Sequence, residues 1–173
     1  MKLAGKKIAL FLAEYYEDLE FWYPRYRMME EGAEIVVISV EIKTYRSKHG
    51  LPAKADRVIC DVTPEEFDAL IIPGGYAPDH MRRSPEMLRF TYAIHQQEKL
   101  VAAICHGPWL LVSAGILKNK KATSFYSIKD DLTNAGAEWV DEPVVRDGML
   151  ITSRRPGDLP DFCRTIIDTL ASR

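Results

Sequence analysis

The sequence predicts one α/β domain spanning residues 1–173, a mostly parallel sheet with helices on both faces. Three observations predict it. Apolar runs of strand length recur at Lys7 to Ala13, Phe67 to Ile72 and Leu100 to Ile104, the pattern of parallel strands buried on both faces. Segments of helical period stand between them. The connections are short, and no linker, repeat or low-complexity tract interrupts the alternation.

The elements follow in order. The run Lys7 to Ala13 is the first strand. Leu19, Trp22, Tyr23 and Tyr26 then recur at helical spacing, which predicts a helix from about Glu17 to Glu31, stopped by Gly32. Glu34 to Val40 is the second strand, completing a βαβ start. Ile42 to Val62 is polar and punctuated by Gly50-Leu51-Pro52, so short antiparallel strands or a hairpin insertion are expected there. Phe67 to Ile72 is a buried strand ending in Pro73-Gly74-Gly75. Pro85 to Gln97 has a helical pattern, and Leu100 to Ile104 is the next strand. A helix runs from Pro108 and is closed by Gly115. Ala122 to Phe125 reads as a strand and Ile128 to Ala135 as a helix ending at Gly136. Val144 to Ser153 reads as a hairpin around Asp147-Gly148. Leu159, Phe162, Ile166, Ile167 and Leu170 mark a final amphipathic helix.

Composition narrows the function classes. The chain is long enough to bury a real core. A formal net charge of −2 points to no polyanion partner, and no basic cluster with interleaved aromatics suggests nucleic-acid binding. The three cysteines cannot all pair within the chain, and none has metal-type spacing. Cys60 and Cys163 read as packed thiols in a reducing compartment. The first apolar run is too short for a membrane span and lacks a small-residue cleavage site, so a cytoplasmic protein without a membrane partner is expected. His49 and His95 read as surface residues, and neither a metal nor another cofactor is expected.

In open α/β sheets ligands bind beyond the carboxyl ends of the strands. Three segments end there: the acidic turn after the first strand, Gly74-Gly75, and Cys105-His106. Cys105 sits where a buried strand gives way to a helix, a sharp turn that lifts a nucleophile clear of its backbone. The helix N-terminus beyond it predicts a lowered thiol pKa. The Gly74-Gly75 turn exposes backbone N–H groups and lets a substrate approach closely, which suits an oxyanion hole completed by the His106 N–H. Glu17 and Glu20 are both favoured at a helix start for dipole reasons. Either could supply a protonated carboxyl to hold the sulfur's charge. His106 serves as general base if its ring reaches the sulfur, and otherwise for its backbone and for packing. As a base it needs an orienting partner, for which Asp79 and nearby His80 are candidates.

These segments together resemble the PfpI family of the ThiJ/PfpI superfamily. The resemblance rests on Glu17-Asp18-Leu19-Glu20 with Pro24, the run from Phe67 to Asp79, Ala103-Ile104-Cys105-His106-Gly107-Pro108, Ser113-Ala114-Gly115, the run from Ile128 to Gly136, and Glu138-Trp139-Val140-Asp141. It covers nearly the whole chain in the right order. It implies a flavodoxin-like sandwich of the class I glutamine amidotransferase type. It also implies that Cys105 is the nucleophile, Glu20 the acid bonded to the sulfur and Glu17 a second pocket acid. Gly75 and His106 supply the oxyanion N–H groups, and Gly74 lies beside the substrate. Asp79 matches the acid that a neighbouring subunit offers to His106 in protease-like members, so a dimer or larger homo-oligomer is expected. The sequence departs from archaeal protease-like members at Phe125, where they carry a pocket Tyr, and the resemblance assigns no such role to the adjacent Tyr126.

The resemblance implies a cysteine hydrolase of peptidase type, in stress response or protein quality control. A deglycase or glyoxalase-like enzyme for methylglyoxal or glyoxal adducts is the alternative, so the substrate is a peptide or a small aldehyde adduct. A redox-sensing or chaperone protein using the same cysteine is the non-enzymatic alternative.

Overall fold

The computed structural model describes residues 1–173. The opening βαβ unit is β1 (Lys7–Phe11), α1 (Asp18–Glu30) and β2 (Glu34–Ser39). The polar insertion forms an antiparallel hairpin, β3 (Thr44–Arg46) with β4 (Pro52–Lys54), followed by the short β5 (Arg57–Val58). Next come β6 (Ala69–Ile72), α2 (Ala77–Met81), α3 (Pro85–Gln96), β7 (Leu100–Ile104) and α4 (Pro108–Ser113). The chain closes with β8 (Lys121–Ala122), α5 (Lys129–Asn134), β9 (Glu138–Trp139), the hairpin β10 (Val144–Asp147) and β11 (Leu150–Ser153), and α6 (Leu159–Ala171).

The main sheet has the order β10-β11-β7-β6-β1-β2-β5 and is parallel except for β10, which runs against β11. The apolar strands form its centre because parallel strands must be covered on both faces. Helices α1 and α6 contact each other, as do α3 and α4. Phe90 of α3 packs its ring 5.7 Å from Phe11 of β1 and 5.9 Å from Phe67. From β1 the chain moves outward to β2 and β5, then returns to β6 on the other side of β1. That reversal is a topological switch point, where loops diverge and leave a crevice.

Register decides what lines the crevice. Val37, Leu10, Ile71, Ala102 and Ile151 form one row of partners across five strands. Counting the same distance onward brings Gly74, Cys105 and Arg154 to the carboxyl edge together.

Four expectations need correction. The period of α1 is helical, but its buried face carries Glu20, Phe21, Pro24 and Met28, while Leu19, Tyr23 and Tyr26 are exposed. Aromatic spacing identified the helix without showing which face meets the sheet. The strand expected over 122–125 is cut to Lys121–Ala122, which pairs with β9 in a separate ribbon. Cys60 is exposed in a 3₁₀ turn, whereas Cys163 is buried. His95 is half-buried on α3, and its buried Nδ1 has no hydrogen-bond partner.

Candidate active site

Cys105 follows β7 directly and adopts a left-handed backbone with φ +62°. That conformation is costly for a residue with a side chain, and such strain clusters at functional turns. The turn is held from both sides. The Cys105 N–H donates to Ser153 O at 3.0 Å, and its carbonyl accepts from the Phe125 N–H at 2.9 Å. The N–H groups of Gly75 and His106 face the sulfur and favour its charged form.

Glu20 is fully buried one turn into α1. Pro24, four residues on, has no N–H for the Glu20 carbonyl, so the helix ladder is interrupted at this residue. Glu20 Oε2 accepts the Gly74 N–H at 2.8 Å. Oε1 is buried with no hydrogen-bond partner, and the carboxyl as a whole lies close enough to the Cys105 thiol for the two to influence each other's ionisation. Gly74 is required for this approach, since a Cβ there would lie 2.5 Å from Glu20 Oε2 and 2.7 Å from Cys105 Cβ. Glu17 is the N-cap of α1, with Oε2 accepting the Glu20 N–H at 2.9 Å and Oε1 3.8 Å from Lys48 Nζ.

Burial, with the charge of Glu17 added, pushes the Glu20 carboxyl up to about 8. It is therefore mostly protonated at neutral pH and is a hydrogen-bond donor toward the sulfur. Burial also pushes the Cys105 thiol up, and an ionised Glu20 would push it further. The lowered thiol pKa expected from the strand-to-helix turn is thus corrected. The α4 helix has six residues, and its dipole with two N–H groups does not offset the loss of water around a thiol that is 7 % exposed.

His106 Nδ1 lies 3.3 Å from Cys105 Sγ, so the imidazole does reach the sulfur. Its Nε2 lies 3.2 Å from Ser127 Oγ. Burial, and then the charge of Lys48, lower the His106 pKa, so the ring is neutral at neutral pH and able to accept a proton. A proton on Nε2 donated to Ser127 leaves Nδ1 as the acceptor facing the thiol. The ring stacks on Phe125 with centroids 5.2 Å apart and meets Trp109 edge-on at 5.1 Å.

Asp79 stands on α2, with its carboxylate 4.0 Å from Arg83 Nε, and within one chain Ser127 takes the far side of the His106 ring. Ser127 and Lys48 are the site neighbours that sequence reasoning missed. Neither carries a local signal, because each reaches the site from a distant segment. Glu17, Asp18 and His49 place possible ligand atoms within 4.8 Å of one another. Asp18 already bonds Ser47 and His49, and Glu17 caps the helix, so the group is held by its own hydrogen bonds.

Fold and site define a class: a flavodoxin-like α/β domain with a cysteine on a strained strand-to-helix turn, a buried carboxyl beside it and an imidazole against the sulfur. The family model "DJ-1/PfpI family" matches residues 6–169, and the chain belongs to that family. Deglycase PfpI of Pyrococcus furiosus is 43% identical over 164 residues, covering 95% of this chain and 99% of that protein. YraA of Bacillus subtilis, whose name places it provisionally among cysteine proteases, is 41% identical over 96% of this chain and 99% of its own length. Among solved structures, a two-domain Anabaena variabilis protein with DJ-1/ThiJ/PfpI-like and ferritin-like domains superposes with a TM-score of 0.94 at 44% identity, over 95% of this chain and 48% of that one. The chain thus spans about half of that two-domain protein. No helix is long and apolar enough to cross a membrane.

Proposed function

We propose that the protein is a cysteine-dependent hydrolase that removes α-oxoaldehyde adducts, of the methylglyoxal or glyoxal kind, from amines and thiols. The observation that carries this reading is the confinement of the nucleophile. Cys105 is 7 % exposed beside the rings of His106 and Phe125, an arrangement suited to a small carbonyl group at the end of a side chain rather than an extended polypeptide. The deglycase name of the Pyrococcus furiosus relative supports the same reading.

The chemistry follows from the proton positions. The thiol gives its proton to His106 Nδ1 as Sγ attacks the carbinol carbon of the adduct. The bond from that carbon to nitrogen breaks, and the amine leaves with the proton from His106. The resulting hemithioacetal shifts its C–H proton to the neighbouring carbonyl carbon and its hydroxyl proton to that carbonyl's oxygen, and so becomes a thioester. Water adds to the thioester, and the N–H groups of Gly75 and His106 hold the oxyanion. A hydroxy acid leaves and the thiol is restored. Protonated Glu20 steadies the sulfur's charge while it is free of carbon. Asp79 of a second copy supports His106 beyond the contacts of a single chain.

A peptidase using the same nucleophile is the second reading, favoured by the name of the Bacillus subtilis relative. A purely redox-sensing role is disfavoured by the neutral imidazole 3.3 Å from the sulfur, a base that a sensor does not require.

The test is turnover by wild type and Cys105→Ser in an amine-free buffer. The substrate is methylglyoxal-treated N-acetylcysteine or N-acetyllysine, and lactate release is followed by NMR. Lactate release by wild type alone supports the deglycase reading. Equal rates in the two proteins overturn it, and cleavage of unmodified peptides by wild type alone replaces it with the second reading.

A further inference from the structure

Beside the nucleophile lies a groove of about 220 Å³ whose lining includes Phe125, Tyr126, Trp139, Arg154 and Arg155. It shares a wall with the site, since the Phe125 ring stacks on His106 and the Phe125 N–H bonds the Cys105 carbonyl. Its other wall is tied to the same turn. Ser153, two residues before Arg155, accepts the Cys105 N–H. The two arginines therefore emerge at the carboxyl edge of the sheet, next to the strand that carries the sulfur.

The groove is built rather than incidental. Trp139 is anchored by Nε1 donating to Ser124 Oγ at 3.0 Å, and Tyr126 meets it edge-on at 6.2 Å. Lys129 Nζ lies 5.1 Å from the Trp139 ring centre. The arginines differ in their commitments. Arg154 is clamped by Asp158, with Nε and one terminal nitrogen at 3.0 and 3.1 Å, and by Asp141 at 2.8 Å. The Arg155 carbonyl accepts the Asp158 N–H at 2.9 Å, but its side chain enters no hydrogen bond or ion pair, although it is part of the groove wall. Asp141 and Asp158 are both engaged by Arg154, and the guanidinium of Arg155, with no carboxylate partner of its own, lies beyond three aromatic rings. A flat apolar segment fits such walls, and a planar fork of donors selects a carboxylate.

We propose that this groove binds the far end of the substrate, a carboxylate carried on a flat or aromatic segment, with Arg155 as the residue that reads the charge. The proposal rests on the assignment of Cys105 as the nucleophile and names the substrate class within it: adducts of small carboxylate-bearing compounds. Lys129 adds to the positive field from outside the Trp139 ring.

The test does not require turnover. The reagents para-(iodoacetamido)benzoate and its neutral analogue para-(iodoacetamido)benzamide place a thiol-reactive carbon at one end of an aromatic ring. They differ only in the charge at the other. Alkylation of Cys105 is followed by peptide mass spectrometry at one fixed pH. A charge-assisted hydrogen bond predicts that the benzoate reacts about tenfold faster than the benzamide in wild type. The ratio falls to near one in Arg155→Gln and is retained in Arg89→Gln, an exposed cation on α3. A ratio near one in wild type, or one that survives Arg155→Gln, overturns the proposal. So does a ratio lost equally in Arg89→Gln, which would show an effect of overall charge. Failure of both reagents to alkylate Cys105 instead overturns the nucleophile assignment itself.

Discussion

Glu20 is the residue on which the site's electrostatics turn. Its carboxyl is pushed from an ordinary 4.5 up to about 8 by burial and by Glu17. Between those values the folded protein keeps a proton that the unfolded chain has released. The contribution of Glu20 to stability is therefore complete below 4.5 and is lost as pH rises through about 8. The loss across that window is on the order of a few kcal/mol. Glu20→Gln keeps an acceptor for the Gly74 N–H and cannot ionise. Thermal melts from acid to mildly alkaline pH are expected to show a falling midpoint in wild type and a smaller fall in Glu20→Gln. Parallel curves would show that Glu20 ionises normally. The pairing with the thiol was only partly legible beforehand. Two acids at a helix start look alike in sequence and both are buried, but Glu17 caps the helix while Glu20 meets Gly74 and the thiol.

At the scale of elements, the site depends on the glycine turn after β6. Gly75 has φ +75°, and a Cβ there would lie 2.5 Å from both Glu17 N and Tyr15 O. Neither atom has room to yield, because both belong to the backbone bridge between Tyr16 and Gly75. Gly115, after α4, has a similar φ of +72°, but a Cβ there would meet nothing within 4 Å. Gly115→Ala is expected to cost about 1 kcal/mol from backbone strain alone, and Gly75→Ala clearly more, about 2–4 kcal/mol. Denaturant unfolding of the two variants separates the effects. Equal losses would mean that close approach at Gly75 has no energetic weight. The sequence marked both positions as turn glycines. It did not show that one lies against the chain segment that delivers Glu17 and Glu20.

At the scale of the whole molecule, the surface and the site both bear on assembly. Tyr15, Tyr76 and Tyr126 are more than half exposed, as is Leu19 on the outward face of α1. Asp79 does not reach His106 within the chain. A homo-oligomer is expected, in which Asp79 of one copy approaches His106 of another. Light scattering at micromolar concentration should give a mass at least twice that of the chain. Asp79→Ala should lower turnover more than Asp79→Asn, which keeps a hydrogen-bonding side chain. A fully active monomer, or normal turnover in both variants, would remove Asp79 from the site.

Local pattern determined the order of elements, the parallel sheet and the turn that carries Cys105, because strand and helix periods are written in the spacing of apolar residues. It also marked the glycine turn and the acidic helix start as neighbours of one crevice, since strands of a parallel sheet end at the same edge. Tertiary structure alone decided the protonation of the site. The sulfur lies in a pocket where burial outweighs a short helix, so its proton stays near a neutral His106 and a protonated Glu20. It also decided which helix face is buried, and it brought Ser127, Lys48 and Arg155 to the neighbourhood of the cysteine from segments far away in the chain. Burial and proximity are sums over many distant contacts, and no local spacing encodes them.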